Sequence, residues 1–161
     1  MSAQMLVPAA VLVVWSLIML LWTAATRFPA IAKSGMDLSN VPPGGRGQNL
    51  DGVLPDKVQW KSHNYTHLME QPTIFYPTVI ILALLGQGND INLAFAWGYV
   101  GLRILHSIWQ ATVNTIIPVR FGLFVLSTIC LIGLSIHALM ATLAATTGGS
   151  DLEMHSEILK P

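Results

Sequence analysis

The sequence predicts an all-α integral membrane protein that folds as an antiparallel bundle of four transmembrane helices. Hydrophobic residues make up 53% of the 161 residues, charged residues make up only 10%, and the mean hydropathy is +0.59. Soluble domains usually contain about 25% charged residues. The apolar residues lie in four long stretches, and a membrane span needs about 20 of them. Residues 1–161 therefore form a single domain with room for four spans.

The four spans are predicted at about residues 5–26, 64–85, 91–113 and 121–145. The first is interpreted as a retained helix and not as a signal peptide, because no basic residue precedes it and the apolar run is too long for a signal. Residues 27–62, rich in Pro, Gly, Asn, Asp and Lys, are predicted to form a long loop. The other links are short, so sequential helices should be antiparallel neighbours.

The placement of the charges predicts the orientation in the membrane. Most basic residues lie in the loop at 27–62: Arg27, Lys33, Arg46, Lys57 and Lys61. By the positive-inside rule this loop faces the cytoplasm and both termini face outward. The eight basic and eight acidic residues cancel, so the net charge gives no reason to expect a nucleic-acid partner.

One face of the third span is polar through much of its length. At about 100° per residue, a single arc holds Arg103, His106, Ser107, Gln110 and Asn114. An arginine near the middle of a membrane costs at least about 2.5 kcal/mol, so Arg103 needs a partner or a wet cavity. The candidate partner is Glu70, at a similar depth on the antiparallel second span.

A second polar cluster opens the second span, with Asn64, His67, Glu70 and Gln71 on one side. Pro72 follows directly and permits a kink, because it lacks the amide hydrogen that a helix needs. We expect the two polar surfaces to meet and Glu70 to form a buried pair with Arg103. Two interpretations stay open: a purely structural tie between helices, or a ligand site.

A metal site is a different interpretation of the same region. His63, His67 and Glu70 follow one helical flank, with His106 as a further candidate ligand. The chain has only five histidines, and His137 lies far from this group. We therefore predict no metal site and treat these histidines as hydrogen-bonding groups.

These residues resemble the MAPEG superfamily, the membrane-associated proteins in eicosanoid and glutathione metabolism. Three segments carry the resemblance: NYTHLMEQPTIFYP at 64–77, LRILHS at 102–107 and NTIIPVRF at 114–121. Together they look like the bacterial branch, and the four-span pattern with its long first loop covers nearly the whole chain.

The resemblance implies a homotrimer in the bacterial inner membrane that binds glutathione between subunits on the cytoplasmic side. It implies a transferase or peroxidase that acts on lipophilic small molecules. Matched by motif, Arg120 would be catalytic and would stabilise the glutathione thiolate. The residues implied to bind glutathione are Arg27, His67, Glu70, Arg103, His106 and Gln110.

The sequence also departs from the family signature. His67 stands where the signature has asparagine, and Gln110 stands near a position where several enzymes have tyrosine. One family member is a lipid-binding partner without enzymatic activity. A second function therefore stays open, that of a non-enzymatic membrane subunit or lipid-binding scaffold that has retained the fold.

Overall fold

The structure, a computed structural model, describes residues 1–36, 44 and 47–158, with side chains through residue 147. All regular secondary structure in these residues is helical, as the sequence predicts. The α-helices are α1 (Leu6–Lys33), α2 (Asp56–Leu68), α3 (Pro72–Leu84), α4 (Asp90–Thr112) and α5 (Ile117–Ile158), and short 3-10 helices form at Ala3–Met5 and Gly47–Leu50.

Helix α1 continues past the predicted end of the first span at residue 26 and stops at Lys33. Its last turn contains good helix formers, and the cation at Lys33 interacts favourably with the negative end of the helix dipole. The backbone N–H of Ser34 closes the helix by donating to the carbonyl of Ala30 at 3.0 Å.

The predicted loop at 27–62 is therefore partly helical at both ends. After Pro55, helix α2 begins at Asp56, whose carboxylate lies in the first turn where the helix dipole favours an anion. Leu54 is buried just before this helix and fixes the entry of the chain. Residues 37–43 and 45–46, the centre of the predicted loop, lie outside the described residues.

The second predicted span is divided into α2 and α3, with a break at residues 69–71. Pro72 is the first residue of α3, where a missing N–H costs nothing, but that same absence prevents α2 from continuing through it. The kink predicted from Pro72 is confirmed. Helix α3 ends before Gly86, whose φ of 72° is the left-handed conformation that favours glycine at a helix end.

Helices α4 and α5 pack closely because two glycines face the neighbouring helix. A Cβ atom at Gly98 would lie 3.3 Å from Cys130 Sγ, and one at Gly133 would lie 3.2 Å from the ring of Phe95. The backbone of α5 stays helical to Ile158, beyond the predicted end of the fourth span at residue 145.

Side-chain contacts show that successive segments run antiparallel. Asn64 on α2 contacts Ser107 late in α4. Asn92 at the start of α4 contacts His137 in the middle of α5, whereas Asn114 just after α4 contacts Arg120 in the first turn of α5. The core between the helices is apolar and includes Leu12, Met19, Phe75, Val79, Leu82, Tyr99 and Leu134.

Two segments, Ala3–Lys33 and Ile117–Thr147, are long and apolar enough to cross a membrane by length and composition. In the most apolar stretch of each segment, only 33% and 22%, respectively, is buried by the rest of the chain. Both segments therefore leave much of their apolar surface uncovered. Such faces suit contact with lipid. Helix α3 is short, and α4 carries the polar face that the sequence indicates.

Candidate ligand site

Arg103 lies at the centre of the polar region, on α4, and only 1% of its surface is exposed. Its Nη2 donates to the backbone carbonyl of His67 at 3.2 Å and lies 3.5 Å from Nδ1 of the same residue. The guanidinium carbon lies 5.9 Å from the ring centroid of Tyr99 and 5.7 Å from that of Phe124. Cation–π attraction to these rings helps hold the cation in place.

The charge of Arg103 is incompletely satisfied. Among the described residues, its Nε and Nη1 have no hydrogen-bond partner, and no carboxylate forms a salt bridge with it. A buried cation without a counter-charge is costly. Two donor nitrogens of the buried guanidinium are therefore left without an acceptor in the described part of the chain.

The predicted buried pair between Glu70 and Arg103 is wrong. The Glu70 carboxylate lies 3.6 Å from Nδ1 of His67 and its side chain is 65% exposed. The reason is the break in the second span: α2 ends at Leu68, so Glu70 leaves the helical face on which the sequence placed it. Its charge still acts on Arg103, without direct contact.

Two imidazoles lie beside the guanidinium. The ring centroids of His67 and His106 are 5.0 Å apart, and Phe124 lies 5.5 Å from His67 and 6.4 Å from His106. The charges of Arg103 and Arg120 both act on these rings. The structure therefore brings His67, Arg103 and His106 together, as the interpretation of a single site requires.

The polar face of α4 has the periodicity that the sequence predicts from Arg103 to Gln110, but Asn114 lies beyond the end of the helix at Thr112 and not on that face. Arg103, His106, Ser107 and Gln110 are buried, whereas Leu105 is exposed. Gln110 follows His106 by one turn, and its Oε1 is buried without a partner among the described residues. A second unsatisfied polar group thus lies on the same face as Arg103.

Arg120 lies in the first turn of α5, half-buried. Its Nη1 donates to Oδ1 of Asn114 at 2.8 Å. Asn114 belongs to the link between α4 and α5, so this bond joins the two ends of a tight connection.

Arg27 lies in a separate cleft of about 500 Å³, between α1, α2 and the Gly47–Leu50 helix. It donates to Ser62 Oγ at 2.8 Å and to the carbonyl of Gly47. Nearby, burial and, to a lesser extent, repulsion by Lys57 lower the pKa of Lys61. Among the described residues, the partners of Arg27 are Ser62 and Gly47, and they do not include the group around Arg103.

The histidines of the metal interpretation have different partners. His63 Nε2 lies 3.0 Å from Asp51 Oδ1, in a contact that holds the segment before α2, whereas His67 faces Arg103 and His106. Among the described side chains, no group of three His, Cys, Asp or Glu has a geometry that could hold a metal ion.

Two aromatic residues of the site, Tyr99 and Phe124, are absent from the residues predicted from the sequence. Tyr99 precedes Arg103 by four residues, so helical spacing alone could have placed it on the same face. It also connects the site to the break before α3, because its hydroxyl donates to Gln71 Oε1 at 3.5 Å. Phe124 lies on another helix, and no local pattern marks it.

The fold and this site define a class: an all-helical membrane protein with an uncompensated buried arginine next to a break in its second helical segment. The profile of the MAPEG family matches residues 5–140, and the chain belongs to this family. The resemblance seen in the sequence is thereby confirmed. Comparison with curated proteins and with solved structures returned no significant match.

Proposed function

We propose that this protein is a membrane-bound, glutathione-dependent transferase or peroxidase that acts on lipophilic electrophiles or peroxides. The observation that carries the proposal is the buried guanidinium of Arg103, which has two unpartnered nitrogens beside the imidazoles of His67 and His106. A fold that retains a costly, uncompensated cation in this place has a use for it. Binding an anionic ligand is such a use.

Glutathione suits these groups chemically. It is a tripeptide with two carboxylates, an ammonium group and a thiol, so its site needs cations and amides that replace water. Arg103 would bind a carboxylate through Nε and Nη1, and His67, His106 and Gln110 would supply further polar contacts. The exposed carboxylate of Glu70, which lies 3.6 Å from His67 Nδ1, would bind the ammonium group.

Arg120 is the proposed catalytic residue. A thiol reacts as its thiolate, and a neighbouring cation favours that form. The N-terminus of α5 adds a partial positive charge at the same place. The thiolate sulfur would then attack the electrophilic atom of a substrate dissolved in the membrane, form a new bond to it and displace its leaving group.

We also propose that the protein is a homotrimer of the bacterial branch in the bacterial inner membrane, with the 27–62 segment on the cytoplasmic side and both termini on the outer side. The separate position of Arg27 supports the trimer. In a trimer, the cleft that contains Arg27 could face the Arg103 group of an adjacent subunit. Arg27 would then bind glutathione from the neighbouring chain.

Glutathione binding by the detergent-solubilised protein tests the proposal. We expect binding by the wild type and a loss of about tenfold to a hundredfold in affinity for Arg103→Met, because a hydrogen bond to a charged group contributes about 1.5–3 kcal/mol. Lys33→Met is the matched control, since Lys33 is an exposed cation at the end of α1. Absence of glutathione binding by the wild type would overturn the proposal.

The second candidate is a non-enzymatic membrane subunit or lipid-binding scaffold. It is favoured by the internal partners of two predicted ligand residues: Arg27 is bonded to Ser62, and Arg120 to Asn114. If the wild type binds a fatty acid in detergent but neither binds glutathione nor turns over an electrophile with it, this function replaces the first.

A further inference from the structure

The link between α4 and α5 has an unusual backbone. Asn114 has a φ of 41°, and it is the one non-glycine with a positive φ in the part of the chain that the structure describes. Its N–H donates to the carbonyl of Trp109 at 3.0 Å, so it closes the end of α4. Asparagine is one of the few side chains that tolerate this left-handed conformation.

The same residue holds Arg120. Its Oδ1 accepts the hydrogen bond from Arg120 Nη1 at 2.8 Å. The left-handed backbone fixes where this oxygen lies, because only residues 113–116 separate the two helices. The side chain of Arg120 is thereby turned back over the start of its own helix.

The acceptor of the Arg120 hydrogen bond is neutral, and this affects the charge of the site. A cation in the first turn of a helix is disfavoured by the helix dipole, and a carboxylate partner would relieve the repulsion. Among the described residues, Arg120 has no salt bridge, and the oxygen it contacts belongs to a neutral amide. The amide orients the guanidinium and leaves its positive charge available.

We propose that Asn114 is a positioning residue for Arg120: it holds the guanidinium at the N-terminus of α5 without neutralising it. The inference rests on the proposed function, in which Arg120 stabilises the glutathione thiolate. Asn114 itself need not touch glutathione. It acts by keeping two sources of positive potential, the cation and the helix end, directed at one place.

Asn114→Gly is the primary test, because glycine adopts a positive φ without strain but lacks the acceptor oxygen. Thr115→Gly is the matched control, since it adds the same backbone freedom at an exposed neighbour. The thiolate absorbance of bound glutathione is titrated with pH, and kcat/KM is measured with chlorodinitrobenzene. For Asn114→Gly we expect a higher titration midpoint and a loss of about tenfold in kcat/KM, typical of removing the partner that orients a site residue. Thr115→Gly should match the wild type.

A double-mutant cycle with Arg120→Ala separates this inference from the proposed function. We expect Asn114→Gly to have no further effect once Arg120 is absent. If Arg120→Ala raises the titration midpoint and lowers kcat/KM but Asn114→Gly changes neither, the positioning role is overturned and the proposed function is not. Additive effects would also overturn it. If glutathione bound to Arg120→Ala has the same thiolate titration midpoint as glutathione bound to the wild type, Arg120 is not the catalytic residue. The positioning role of Asn114 is then overturned as well.

Asn114→Asp serves if the glycine variant does not fold. It retains an acceptor and tolerates the left-handed backbone, but its carboxylate would neutralise Arg120. A higher titration midpoint is again expected. An unchanged midpoint would overturn the inference, because a neutral acceptor would then have no special value.

Discussion

Arg103→Met removes the buried charge of the site and retains a long apolar side chain. In the wild type the guanidinium donates to the carbonyl of His67 but has no ionic partner among the described residues. Replacing buried ionic groups by apolar ones is often neutral or stabilises a fold by about 1–4 kcal/mol. Loss of a hydrogen bond from a charged donor costs about 1.5–3 kcal/mol. These effects oppose each other, so we expect the ligand-free free energy of unfolding to change by less than about 2 kcal/mol.

The assay is unfolding in detergent with and without glutathione. At a ligand concentration one hundred times the wild-type Kd, binding should raise the free energy of unfolding of the wild type by about 2.7 kcal/mol. In Arg103→Met, whose affinity we expect to be about tenfold to a hundredfold lower, the same ligand concentration should raise it by only about 0.4–1.4 kcal/mol. Glu70→Gln is the control in the absence of ligand. Its free energy of unfolding should differ from that of the wild type by no more than about 1 kcal/mol, because an exposed ion pair contributes about 0–1 kcal/mol. A ligand-free loss of about 3–5 kcal/mol in Arg103→Met, as when one partner of a buried pair is removed, would refute the reasoning. It would show that the guanidinium has an anionic partner in the native assembly.

Ser107→Ala should lower the free energy of unfolding by about 1–3 kcal/mol, because the buried Nδ2 of Asn64 donates to Ser107 Oγ at 2.8 Å and would lose its acceptor. An unchanged free energy of unfolding in chemical denaturation would contradict this. His137→Ala should cost a similar amount, about 1–3 kcal/mol, since it leaves Oδ1 of Asn92 without the contact now made at 2.6 Å; His137→Gln should restore part of the melting temperature. A cysteine at exposed Val53, in a cysteine-free background, should react with an impermeant maleimide only after cells are opened. Labelling in intact cells would place that segment outside.

The sequence predicted the helical class and the approximate places of the long helices because hydrophobic length is a strong signal. It also predicted the kink, since Pro72 cannot donate the hydrogen bond that a continuous helix requires. The ends of the helices were harder to predict from the sequence. The 27–62 segment is polar enough as a whole to suggest a loop, yet Lys33 and Asp56, near its two ends, are well placed at helix ends, and dipole complementarity is a weak local signal.

Part of the site could also be predicted. The polar arc of α4 follows from helical periodicity, and burial of Arg103 and His106 agrees with it. The pairing with Glu70 could not be predicted, because depth in the membrane does not determine the direction of a side chain at a helix break. The contact of Phe124 with both imidazoles joins separate helices, so it depends on tertiary packing and leaves no trace in local spacing.

The break between α2 and α3 links the sequence motif to the chemistry of the site. In an unbroken helix, the carbonyl of His67 would accept a hydrogen bond from the amide four residues later. Here the helix stops at Leu68, and the amide of Glu70 donates to that carbonyl over a long distance of 3.4 Å. Its remaining capacity is used by Arg103 at 3.2 Å. The proline therefore acts twice: it ends α2, and by doing so it supplies an acceptor that orients the guanidinium without neutralising it. A carboxylate in the same place would have stabilised the empty protein more, but it would also have competed with any anionic ligand for Arg103.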